Sequence, residues 1–192
     1  GVFICHCGTN IAGVADISSL VAYTSTLKNV VHCEDQVISC ASDSLRKITA
    51  AIKEKKLNRV VAAACSPRDH ETPFRESLRE AGLNPYLLDM ANIREQCTWV
   101  HSREKAEATQ KAIEIIAMSV ARARNLSPVT NLTLPANKKG LVLGGGLAGM
   151  RTALSLARQG FEVYLVEKDQ ELGGNLIGLH RTLEGMEVQH FL

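Results

Sequence analysis

The sequence has few aromatic residues, little net charge and no long apolar run. Aromatic residues make up 4% of its 192 residues, and 22 Lys and Arg nearly balance 20 Asp and Glu, for a formal net charge of +2. So small a charge, without long basic runs, argues against a surface that follows nucleic-acid phosphates. The apolar stretches fall far short of the ~20 residues of a membrane-spanning helix, and the first residues lack the pattern of a secretory signal. We expect a cytoplasmic protein without a membrane span.

Cysteine is absent from the second half of the sequence. The six cysteines fall at positions 5, 7, 33, 40, 65 and 97. In a reducing cytosol, clustered cysteines indicate metal or redox chemistry more often than disulfides. Any thiol chemistry is therefore expected in the first half of the chain.

Apolar runs alternate with amphipathic stretches through residues 1–126. The runs at 2–5, 29–33, 59–65 and 85–90 predict strands, and apolar residues at helical spacing predict a helix after each, the last over about 103–124. Asp16 fits an N-cap, while Thr72, Pro73 and Gly82 fit the ends of the third helix. This βαβαβαβα order predicts an α/β, Rossmann-like doubly wound parallel sheet with helices on both faces.

The cysteines follow the predicted strands. Open α/β sheets bind ligands outside the carboxyl ends of their strands, so these thiols are all expected at one edge. Thiolates from several strand-end loops suit an iron–sulfur cluster, although no local spacing resembles a ferredoxin run. The economical ligand set is one of Cys5 or Cys7, with Cys40, Cys65 and Cys97. Cys33 reads as a small buried apolar side chain.

Other interpretations of the cysteines remain open. Histidines near them could complete a zinc site, although tight Cys-x2-Cys pairs are missing. In that case, or with no metal, the domain would be a docking module for partner subunits. Cys65 could instead be the nucleophile of an NAD-dependent thiol enzyme, with Arg68 lowering its pKa. The histidines in question are His6, His32, His70 and His101.

A glycine-rich turn marks a second domain. Residues 127–139, with Pro128 and Pro135, predict an extended linker. A short apolar strand then leads into GGGLAG and a helix, and a second strand ends at Glu167, so the GxGxxG pattern has the context that dinucleotide binding requires. Glu167 is expected to hold ribose hydroxyls, and the helix N-terminus a pyrophosphate. The expected cofactor-binding residues are Gly144, Gly146, Leu147, Ala148, Gly149, Glu167, Lys168 and Gly174.

Motifs in fixed order along the chain resemble the N-terminal part of the A-type subunit of heterodisulfide reductase. They are VFICHCG at 2–8 with NIAG at 10–13, AACSPR at 63–68, NPY at 84–86 with ANIREQC at 91–97, VARA at 120–123 and the GGGLAG turn. The resemblance covers essentially the whole chain. A Gly-Gly pair shortly after Glu167 also resembles FAD-binding disulfide reductases and favours FAD over NAD.

The resemblance implies a flavo-iron–sulfur oxidoreductase component of a multi-subunit complex, in some members an electron-bifurcating one. It implies 4Fe-4S ligands among Cys5, Cys7, Cys40, Cys65 and Cys97. Residues 1–126 would form the iron–sulfur domain, 127–139 the linker, and 140–192 an incomplete FAD-binding domain like that of thioredoxin reductase. Since a flavin fold needs two nucleotide-binding halves, we expect weak FAD binding, or binding only with a complementary chain, and a chain that is not catalytically complete.

Overall fold

The computed structural model describes residues 1–191 and divides the chain into two compact units, Gly1–Asn131 and Leu132–Leu192. Both units contain parallel strands joined by helices, which confirms the predicted α/β, Rossmann-like class. The last residue of the predicted FAD-binding domain, Leu192, lies outside the described residues. None of the helices described is both long enough and apolar enough to cross a membrane.

The first unit is built on a parallel sheet with strand order β2-β1-β3-β4 in its described residues. A short π-helical turn, Arg94–Thr98, follows the last strand. The strands are β1 (Val2–Cys5), β2 (Cys33–Gln36), β3 (Val60–Ala64) and β4 (Leu88–Asn92). The helices are α1 (Thr9–Ala12), α2 (Ile17–Thr26), α3 (Ser42–Glu54), α4 (Pro67–Glu80) and α5 (Lys105–Ala123).

Two apolar cores hold the helices against the two faces of this sheet. Ile4 of β1 packs in one core with Leu20 of α2 and Ile116 of α5. Phe3, which points to the opposite face, packs in the other core with residues of α3 and α4. Neighbouring strand residues face opposite sides of a sheet, so one apolar strand can serve both cores.

The second strand lies later than the sequence predicts. The Val-Val run at 30–31 predicts a strand over 29–33, but β2 is Cys33–Gln36, paired with β1 from Val2↔Cys33 to Cys5↔Gln36. Val31 is 73% exposed. Because β2 is an edge strand, it tolerates polar side chains and carries no apolar signature.

The third helix also begins earlier than predicted. Ser66 caps α4 by accepting a hydrogen bond from the Arg68 amide at 3.2 Å, and Pro67 follows in the first turn. Thr72 and Pro73 lie inside the helix, beyond a kink at His70. Proline cannot donate to the carbonyl four residues earlier, which accounts for a break in the ladder close to it.

The second unit contains a parallel pair of strands and one longer helix in its described residues. They are β5 (Lys139–Leu143), α6 (Leu147–Arg158) and β6 (Glu162–Val166). Alternate residues of the two strands are about half exposed or more: Leu141, Leu143, Tyr164 and Val166. This alternation gives the pair one apolar face that α6 does not cover.

Candidate functional site

Four cysteines reach the carboxyl edge of the first sheet from three strands. Cys5 ends β1 and Cys7 lies two residues later, Cys40 lies in the loop between β2 and α3, and Cys65 directly follows β3. Cys5 and Cys65 are buried, and the other two are partly exposed. The sheet topology therefore gathers thiols that are up to 60 positions apart in sequence.

The turn after β1 shapes the first pair of thiols. Sγ of Cys5 accepts hydrogen bonds from the amides of Cys7 and Ser39, each at 3.3 Å. Cys7 and Gly8 both have positive φ, 48° and 57°, so the chain turns sharply there. Amide donors stabilise a thiolate at Cys5, and amide–sulfur bonds of this kind also tune iron–sulfur centres.

The thiols act on one another electrostatically. Burial raises the pKa of Cys40, and the charges of Cys5 and Cys7 raise it further. Burial raises the pKa of Cys65 to about 11, and Cys40 contributes to the increase. The thiols of Cys40 and Cys65 are therefore protonated at neutral pH, and a metal that binds them must release protons, so its affinity falls as the pH is lowered.

Arg94 lies among these cysteines, and the sequence pattern alone assigns it no role. Its Nη1 donates to Sγ of Cys7 at 3.2 Å. Its Nη2 donates to Asp69 at 2.7 Å and to Glu95, and its guanidinium lies over the Trp99 ring at 5.1 Å. The one signal in the sequence is its position shortly after a predicted strand at the cysteine-bearing edge.

Cys33 and Cys97 do not join the group. Cys33 pairs with Val2 at the amino end of the sheet, so the prediction that all the cysteines share one edge is wrong for Cys33. Cys97 lies after β4 as expected, but its Sγ donates to the carbonyl of Ala108 at 3.1 Å and is fully buried against α5. Its thiol is directed into the core.

The four histidines considered for zinc differ in their contacts. His6, His32 and His101 each lie within 3.2 Å of a carboxylate, those of Asp35, Glu34 and Glu104 respectively. His70 differs, because its Nδ1 lies 3.4 Å from Sγ of Cys65. Ligand atoms of Cys65, Asp69 and His70 all lie within 4.8 Å of one another.

The glycine-rich turn has the geometry of a phosphate-binding turn. Gly144 has a φ of 103° and donates its amide to the carbonyl of Val166 at 2.8 Å. A Cβ at Gly149 would clash with the Gly144 carbonyl oxygen, so the start of α6 packs too closely for a side chain. A Cβ at Gly146 would meet nothing within 4 Å, which leaves its main chain open to a ligand.

Glu167 is held against this turn. Its carboxylate accepts hydrogen bonds from the amides of Gly145, Lys168 and Asp169, and these bonds lower its pKa. The Gly-Gly pair also packs here, since the Gly173 amide donates to the Gly145 carbonyl at 2.8 Å. Leu147 and Ala148 open α6, so the expected cofactor residues lie around a single turn.

Comparison with known proteins gives the same division of the chain. Residues 141–191 match the family model "FAD dependent oxidoreductase". Nearly the whole chain aligns with curated proteins that have "heterodisulfide reductase" in their names. The chain belongs to the family of heterodisulfide reductase A-type subunits.

Three relatives show the extent of the similarity. An iron-sulfur A-type subunit of CoB–CoM heterodisulfide reductase from Methanopyrus kandleri is 48% identical over 95% of the chain and 28% of that protein. A protein of Archaeoglobus profundus named as similar to the same subunit is 48% identical over 95% of the chain and 26% of that protein. The A-type subunit of the "H(2):CoB-CoM heterodisulfide,ferredoxin reductase" of Methanothermobacter thermautotrophicus is 46% identical over 97% of the chain and 28% of that protein. The chain thus spans about a quarter of the length of these relatives.

Proposed function

We propose that this chain serves electron transfer in a heterodisulfide reductase-like complex, between an iron–sulfur cluster in its first unit and FAD at the glycine turn of its second. The observation that carries the proposal is the group of four thiols from three strand ends, Cys5, Cys7, Cys40 and Cys65. Soft anionic thiolates are the donors that iron–sulfur clusters use. A 4Fe-4S cluster supplies single electrons, and a flavin exchanges one or two.

The protein's own contribution is position and environment. Cys5 and Cys65 lie below the surface and limit access of water to the centre, while amides and Arg94 supply hydrogen bonds to sulfur. In the second unit, Gly146 leaves room for a pyrophosphate, and the N-terminus of α6 offers unpaired amides to it. The other subunits implied by the relatives' names would be the partners, together with any chain that completes the flavin site.

The direct test is the metal and sulfide content of anaerobically purified protein. We expect iron with acid-labile sulfide in equal amounts, and an EPR signal after reduction with dithionite. Protein that binds neither iron nor sulfide after anaerobic reconstitution would contradict the proposal.

A zinc-binding docking module is the second candidate, because Cys65, Asp69 and His70 stand at the spacing of ligands to one ion. The variant His70→Ala separates the two functions. We expect it to keep the parental iron content, since its imidazole is not in the cysteine ligand set. A parent protein that contains zinc and no iron, and loses the zinc in His70→Ala, would favour the docking module.

The structure gives no support to Cys65 as a free nucleophile. Burial raises its pKa to about 11, and the cation that counteracts burial most is Arg94, not the predicted Arg68. A thiol of that pKa is almost entirely protonated at neutral pH and reacts slowly.

A further inference from the structure

A single guanidinium serves several of the clustered cysteines. Arg94 donates directly to Sγ of Cys7. Burial raises the pKa of Cys40 and of Cys65, and in both cases the charge of Arg94 lowers it. The positive charge is therefore felt by thiols that arrive from three different strands.

The side chain of Arg94 is held in a fixed orientation. It is 16% exposed, and its Nε and Nη2 both donate to Oε1 of Glu95 while Nη2 also reaches Asp69. Trp99 lies against its face. Two carboxylates more than balance its charge at a distance, so what distinguishes the sulfur site is the direct N–H···S bond and the short range of the cation.

Reduction of an iron–sulfur cluster adds negative charge that its ligand thiolates share. Hydrogen bonds to those sulfurs and nearby charges are among the factors that set the reduction potential. A fixed cation in contact with a ligand sulfur stabilises the reduced form more than the oxidised form. Because Arg is always protonated in proteins, this effect does not depend on pH near neutrality.

We propose that Arg94 is a positioning residue that raises the reduction potential of the cluster through its hydrogen bond to Cys7. The inference rests on the proposed function, since it requires a cluster at these cysteines. It goes further in assigning the potential to one side chain outside the ligand set.

The test is a redox titration, followed by EPR, of the reconstituted protein and its Arg94→Gln and Arg94→Lys variants. For Arg94→Gln we expect the equilibrium constant for reduction to fall roughly tenfold, which lowers the midpoint of a one-electron couple by about 59 mV. Arg94→Lys keeps the charge but loses the planar fork, so we expect a smaller fall. Arg75→Gln is the matched control, because Arg75 also pairs with a carboxylate, Glu71, and lies over an aromatic ring, Tyr86, but contacts no cysteine in the described contacts.

The outcomes separate this inference from the proposed function. A parent protein without iron and sulfide contradicts the proposed function. A parent with the cluster, and an Arg94→Gln variant with the same iron content and the same midpoint, contradicts the role of Arg94 alone. If Arg94→Gln fails to hold iron, the titration of Arg94→Lys decides, since a parental midpoint there overturns the inference and a lowered one supports it.

Discussion

Replacing Cys65 by serine is expected to reduce bound iron and sulfide to background levels. Cys65 follows β3 at the centre of the cysteine group, where Cys40 acts on it electrostatically. A serine oxygen is a harder and far less acidic donor than a thiolate, so it replaces cysteine poorly at iron. Iron and sulfide assays and the visible absorption of anaerobically reconstituted protein measure the loss.

Two other cysteines provide controls in the same chain. Cys33→Ser changes a thiol at the opposite edge of the sheet, and Cys97→Ser leaves a hydroxyl that can still donate to the Ala108 carbonyl. Both variants should keep the parental iron content. If Cys97→Ser lost its iron while its circular dichroism stayed parental, Cys97 would return to the ligand set and one of the four grouped thiols would leave it.

Replacing Gly146 by aspartate is expected to abolish measurable FAD binding, or to weaken it by at least about 100-fold, near 2.8 kcal/mol. The added carboxylate would stand where a pyrophosphate approaches the turn, and two like charges about 4 Å apart repel by roughly 4 kcal/mol at an effective dielectric constant near 20. The fold should survive, because a Cβ at Gly146 meets nothing within 4 Å and aspartate is a favourable N-cap for α6. Quenching of FAD fluorescence on titration with protein gives the affinity.

Gly178→Asp is the matched control for this variant. A Cβ at Gly178 also meets nothing within 4 Å, so the substitution adds the same charge to the second unit without crowding. It should bind FAD like the parent protein. Equal affinities for the parent and Gly146→Asp would show that the turn does not hold the pyrophosphate.

The fold is predictable from the sequence wherever an element is buried on both faces. The five residues of β3 are all buried, and their apolar run indicates a central strand. The sequence pattern misplaces the edge strand β2 because Cys33–Gln36 carries polar side chains, while the exposed Val31 looks more like a strand residue. A pattern of hydrophobicity reports burial and only indirectly reports pairing.

The candidate site is predictable in its location but not in its membership. Strand ends identify the edge at which Cys5, Cys40 and Cys65 meet, because parallel strands finish together. They do not say which way a side chain points within a π-helical turn, which is why the sequence places Cys97 in the group. The part played by Arg94 depends on a contact with Cys7 across 87 positions, which no local motif reveals.

The bare apolar face of the second unit ties its stability to its ligand. An isolated pair of strands is marginal in water, and here Leu143 is 75% exposed and α6 buries none of its residues. A molecule that binds only the ordered turn adds its binding free energy to the stability of the unit. Flavin would thus act on this half of the chain as a folding partner as well as an electron carrier, and occupancy and order would rise and fall together.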